Sequence, residues 1–147
     1  MNDDFPTLIG LFIHHCGSIE FLVNNSIRAF STDPLLSAEA VAFSLYKRIN
    51  LLKSLLKERS SIDEEEINLL CKGLDDLRMK RNMVAHNPIF FHEPDNSATA
   101  EILVLRYRSD KVEAKNKLIK KDLSELVNIS RDLMLKFIDL IPESTKA

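Results

Sequence analysis

Glycine and proline are scarce in this chain: there are three of the first and five of the second among 147 residues. With so few points of punctuation the turns must be few, so the elements between them should be long and helical. No apolar run approaches the ~18 residues that suggest a membrane span. The first residues, Met1-Asn2-Asp3-Asp4-Phe5-Pro6, are acidic where a signal peptide would be basic, and no apolar segment with a cleavage site follows. A cytoplasmic location without a membrane partner is therefore the expectation. Cys16 and Cys71 form no C-x-x-C pair and sit inside apolar helical patterns, which points to reduced core thiols rather than a disulfide or a metal site. Neither sign of charge dominates. A formal net charge of −2 supplies no global drive toward nucleic acid, so any bound polyanion must be met by a local cluster. Repeats and low-complexity stretches are absent as well. What remains is 45% hydrophobic and 29% charged, an ordinary globular composition. It fits one domain over residues 1–147, able to bury roughly two thirds of its unfolded surface.

The apolar residues recur at helical spacing. Phe5, Leu8, Ile9, Phe12, Cys16, Ile19, Val23, Ile27 and Phe30 follow one another by threes and fours, predicting an amphipathic helix from about Thr7 to Ala29. Asp33 as N-cap with Pro34 at the first helical position opens a second helix, read as continuous through Leu36, Ala40, Phe43, Ile49, Leu52 and Leu56. Its Lys47, Lys53 and Lys57 read as a solvated face. Ser61-Ile62-Asp63-Glu64 has the spacing of a capping box, and the acidic turn after it complements the helix dipole, so a third helix should run to about Ala85. Asn87-Pro88 stops it. A loop is expected over Phe91-His92-Glu93-Pro94-Asp95-Asn96-Ser97. Glu101 to Arg108 is rich in strand formers, and Ser109-Asp110 turns the chain into a second strand around Lys111 to Lys115. A last helix should span Lys121 to about Ile141. The fold expected is mainly α, a bundle of four helices with a small β-hairpin inserted before the last one.

The segment Arg81-Asn82-Met83-Val84-Ala85-His86 places a permanent cation, an amide and an imidazole within six residues. At about 100° per residue, Arg81 falls on the apolar stripe of Ile67, Leu70, Cys71, Leu74, Leu77 and Val84. A guanidinium there requires a carboxylate, a cluster of carbonyls or an anionic ligand. Glu20, on the stripe of the first helix, is a candidate structural partner, and a functional anion is the other. His86 is five residues on, roughly 140° away on a regular helix. The two side chains can meet on one phosphate only if the helix end unwinds or a second subunit completes the pair. Asn82, one turn before His86, is placed to orient its ring. Leu69, Met79 and Met83 form a second apolar strip, which a partner or a longer neighbouring helix would cover. Arg78 and Lys80 flank Arg81 in a local basic cluster suited to phosphates, with solvated charge near a helix C-terminus as the plainer reading. Phe90 and Phe91 either stack on a base or pin the loop, and His92 has no defined partner. Neither His14-His15 nor Asp75-Asp76 offers a metal site, because adjacent residues diverge by about 100° on a helix.

Arg81-Asn82 followed by His86 resembles the R-x4-6-H signature of the HEPN superfamily, and RNxxAHNP together with the Tyr46-Lys47-Arg48-Ile49-Asn50-Leu51-Leu52 stretch is similar to its small bacterial members. The resemblance covers the whole chain. It implies a four- to five-helix up-and-down bundle and a metal-independent endoribonuclease without a cofactor, of toxin or phage-defence type, working as a homodimer on RNA. An antitoxin or effector partner goes with such a role. Under this resemblance Arg81 holds the scissile phosphate, His86 is the general acid or base, and Asn82 orients His86 or the phosphate. Arg78, Lys80 and Asn87 then contact substrate. The alternative is a non-catalytic nucleotide- or RNA-binding or protein-interaction module in which Arg81 pairs with Glu20.

Overall fold

The computed structural model describes residues 4–87, 89–90, 101–108 and 111–146. Among them the elements run α1 (Phe5–Phe30), α2 (Pro34–Ala40), α3 (Leu45–Arg59), α4 (Glu64–His86), β1 (Ile89–Phe90), β2 (Glu101–Arg108), β3 (Lys111–Ile119) and α5 (Lys120–Leu140), then a 3-10 turn over Pro142–Thr145. The protein is a mainly α bundle carrying a small sheet before its last helix.

Helix α1 is the hub, packed against α3, α4, α5 and the final 3-10 turn. Asp4 caps it by accepting from the Thr7 amide at 2.8 Å, and Phe5, Phe12, Val23 and Ile27 are sealed from solvent beneath it. Each such side chain contributes about 1.5–3 kcal/mol of burial. By length and composition α1 is also the one helix among the described residues apolar enough to cross a membrane, although no unbroken apolar run marks it. Here its apolar stripe forms the bundle core.

The second predicted helix is two. Asp33 and Pro34 start α2 as expected, with Asp33 Oδ1 accepting from the Leu35 amide at 2.9 Å. The helix then breaks, because Ser44 adopts an extended ψ and caps a new helix through the Lys47 amide. Val41, Ala42 and Phe43 hold the apolar period across the break, which conceals it from a pattern reading. Asp63 rather than Ser61 caps α4, accepting from the Glu65 amide at 3.0 Å. Glu64, expected to reach back to the cap, instead pairs with Lys57. Lys57 is therefore engaged rather than simply solvated.

The hairpin is present and larger than expected: β2 pairs antiparallel with β3 over its whole length, with an irregularity between Val104 and Leu105, and β1 adds a third antiparallel strand on the other edge of β2. Ile102 and Leu118 anchor it to the core. The expected loop over Phe91 to Ser97, with His92, and the turn at Ser109-Asp110 lie outside the described residues. On α5 the fully buried Ser130 donates to the Val127 carbonyl at 2.9 Å and so accepts from Nδ1 of His15, also at 2.9 Å, fastening α5 to α1. His15 is thus a packing group and His14 a surface one.

Candidate functional site

Helices α3 and α4 run antiparallel: Lys57 meets Glu64 at one end, and Ser44 and Tyr46 face Arg78, Arg81 and Asn82 at the other. Where α1 joins them, the last group opens into a cleft of about 590 Å³ that also takes in Glu20, Leu45 and Arg48. An apolar floor including Cys16, Leu74 and Leu77 lies behind Glu20 and Arg81. Burial pushes the Cys16 thiol up to about 12, with the Arg81 charge opposing that shift and the Glu20 charge adding to it. Arg81 and Glu20 therefore share one neighbourhood.

They do not pair. Glu20 Oε2 lies 3.5 Å from Arg48 Nη2. Arg48 also donates through Nη1 to Asn24 Oδ1 at 2.8 Å and through Nε to the Phe43 carbonyl at 3.1 Å. The break at Ser44 is what turns Arg48 toward α1, where Glu20 and Asn24 stand one turn apart, and this overturns the expected Glu20–Arg81 pair. Arg78 is matched as well, with Nε 2.7 Å from Asp75 Oδ1 and the guanidinium 5.4 Å from the centre of the Tyr46 ring. Among the described residues Arg81 has only Asn82: Nη1 donates to the amide oxygen at 3.3 Å. Among the described residues no carboxylate lies within ion-pair distance of it. A half-buried guanidinium on an apolar floor, facing a cleft and bonded to a neutral amide, has donors of the kind an anion takes.

Helix α4 continues without a break through His86, and Asn87 closes it in extended geometry with its side-chain amide donating to the Met83 carbonyl at 2.7 Å. Unwinding thus does not bring His86 to Arg81; roughly 140° of helix separates them within one protomer. Asn82 lies between, on the cleft wall and one turn before the exposed His86. Its side-chain bond joins it to Arg81; among the described residues none joins it to the His86 ring. Lys80 is exposed and outside the cleft lining. Leu69 and Met79 stand in solvent, while Met83 packs partly against the core, so only part of the second apolar strip is uncovered. Asn87 serves the helix end through its bond to Met83. No group of His, Cys, Asp or Glu among the described residues is placed to hold a metal ion.

Ser44, Tyr46 and Arg48 join the site without any helical period assigning them to it. The signal that could have found them is Ser44 three residues before Lys47, a cap inside an apparently unbroken helix. No family model matches the chain, nor does any curated protein or solved structure.

Proposed function

We propose that the protein is an endoribonuclease of the HEPN type, acting as a homodimer in which the Arg81 cleft of one protomer works with His86 of the other. The observation that carries this reading is the guanidinium of Arg81, which no carboxylate among the described residues neutralises. The residue that would have made it structural, Glu20, is held by Arg48. A scissile phosphate seated on Arg81, with Asn82 beside it, receives bidentate donors that gain strength as charge builds in the transition state. An imidazole takes the proton of the ribose 2′-hydroxyl, whose oxygen attacks phosphorus. The 5′-oxygen leaves with the proton that this imidazole has taken up, giving a 2′,3′-cyclic phosphate. His86 suits both tasks, since an imidazole can accept a proton at one nitrogen and donate one, and its exposed place at the tip of α4 leaves it open to a partner. The exposed Leu69 and Met79 support an interface along the same helix.

The test is RNA cleavage in EDTA by the wild type and by His86→Ala and Arg81→Ala. Loss of cleavage in both variants, with a cyclic phosphate at the product end, is expected. Equal cleavage by all three proteins excludes these residues as the catalysts.

A further inference from the structure

The cleft at Arg81 adjoins a second one. Tyr46 lines both, and the second, of about 230 Å³ along the same α3–α4 seam, is where Asn50, Lys53, Asn68 and Lys72 are found. From Asn68 to Asn82 the seam follows fourteen residues of α4, about 21 Å at 1.5 Å per residue. Two carboxylates border it, and each is consumed: Glu20 by Arg48 and Asp75 by Arg78. Arg81 at one end and Lys53 and Lys72 at the other have no carboxylate within ion-pair distance among the described residues. The groove is thus net positive on a chain whose net charge is −2. At its middle Tyr46 is 52% exposed, with the Arg78 guanidinium over its ring. Asn68 adds a buried amide oxygen without a hydrogen-bond partner.

Cations spaced along a groove, an exposed aromatic ring between them and amides beside it are what a single nucleic-acid strand requires: charge for the backbone, a platform for a base and hydrogen bonds for its edge. The geometry points to the α3–α4 seam as a track for single-stranded RNA, with a base stacked on Tyr46 and flanking phosphates met by Arg81 on one side and Lys53 and Lys72 on the other. The inference rests on the ribonuclease reading for what happens at Arg81, and adds how the strand is held and where it leaves.

The experiment is fluorescence anisotropy of the full chain with a short labelled oligouridylate and, separately, an oligodeoxythymidylate of equal length, over a series of salt concentrations. The deoxy strand lacks the 2′-hydroxyl and cannot be cleaved by the proposed route. Both strands should bind. Tyr46→Ala should weaken binding roughly tenfold while Tyr46→Phe retains it. Replacing Lys53 and Lys72 together by glutamine should lower the slope of log affinity against log salt by about 1.4, two phosphates' worth for a single strand. These three side chains are at least partly solvent-exposed, so the bundle should survive their replacement. Wild-type affinity in the Tyr46→Ala and lysine variants, or failure of the wild type to bind either strand at low salt, overturns the track. Binding through Tyr46 without cleavage of the oligouridylate leaves the track standing and sinks the ribonuclease. Cleavage with binding indifferent to Tyr46, Lys53 and Lys72 does the reverse.

Discussion

Replacing Arg48 and Arg81 one at a time by methionine should have opposite consequences for stability and activity. Methionine keeps most of the aliphatic stem and removes the charge, so lost packing contributes little. Arg48 is 11% exposed at its side chain and makes three contacts: one to a carboxylate, one to an amide oxygen and one to a backbone carbonyl. Hydrogen bonds to a charged group are worth about 1.5–3 kcal/mol each in favourable settings. Glu20, however, remains 28% exposed at its side chain and rehydrates when its partner is removed. The net loss for Arg48→Met is then about 2 kcal/mol, or a fall in Tm of about 8 °C for a domain of this size. Arg81 makes one 3.3 Å bond to a neutral amide, and its removal relieves a poorly solvated charge lying close to Arg78 in the same cleft. Gain and loss nearly cancel, so Arg81→Met should stay within about 0.5 kcal/mol of the wild type. Urea unfolding followed by circular dichroism measures both. A loss of about 2 kcal/mol or more in Arg81→Met, with little change in Arg48→Met, would refute the assignment of Arg48 as the structural arginine and Arg81 as the functional one.

Alkaline pH should destabilise the protein. Burial raises Cys16 to about 12 and Cys71 to about 11, against 9.0 for an ordinary thiol, so the folded state holds protons that the unfolded chain releases. Stability is fully present below pH 9 and declines as pH rises toward the folded values; a urea midpoint independent of pH across that window would contradict it. Removing one thiol with Cys16→Ala should flatten the decline. Gly10 and Gly17 have open space around the position of an added Cβ, so alanine at each should stabilise α1 by about 1 kcal/mol, read as a higher Tm. Gly73→Ala gains the same helix propensity but brings Cβ to 3.2 Å from Leu133 Cδ1, and its Tm should rise less than that of Gly10→Ala. Ser130→Ala should cost about 1 kcal/mol by stripping Nδ1 of His15 of its acceptor, measured by the same urea titration.

Much of the scaffold is legible in residue order. Asp33-Pro34 marks a helix start whose chemistry is local: a carboxylate takes an orphan amide and a proline needs none. The core stripes of α1 and α4 follow from period alone. The break at Ser44 is hidden because Val41 and Ala42, though exposed, and Phe43, packed partly against the core, are apolar where a continuous helix would also have apolar residues. The hidden break explains the misread ion pair, since the partner of Glu20 depends on which way the new helix presents Arg48. Arg81 was recognisable as a cation needing an anion. That its need is met by no carboxylate among the described residues could be learned only from where Glu20 and Arg48 meet in space.

The position of α1 at the hub bears on how the chain acquires its structure. Its partners include α5 and the 3-10 turn, where Asn25 donates to the Ser144 carbonyl at 3.1 Å across 119 residues of sequence. Contacts so distant along the chain are closed only after nearly all of it exists, and loop entropy slows them. During synthesis α1 can pack against α3 and α4 first, and the part of the core between α1 and α5 closes only when α5 arrives. The Arg81 cleft, lined by α1, by α3 with its cap and by α4 but by no residue of α5, rests instead on contacts closer along the chain.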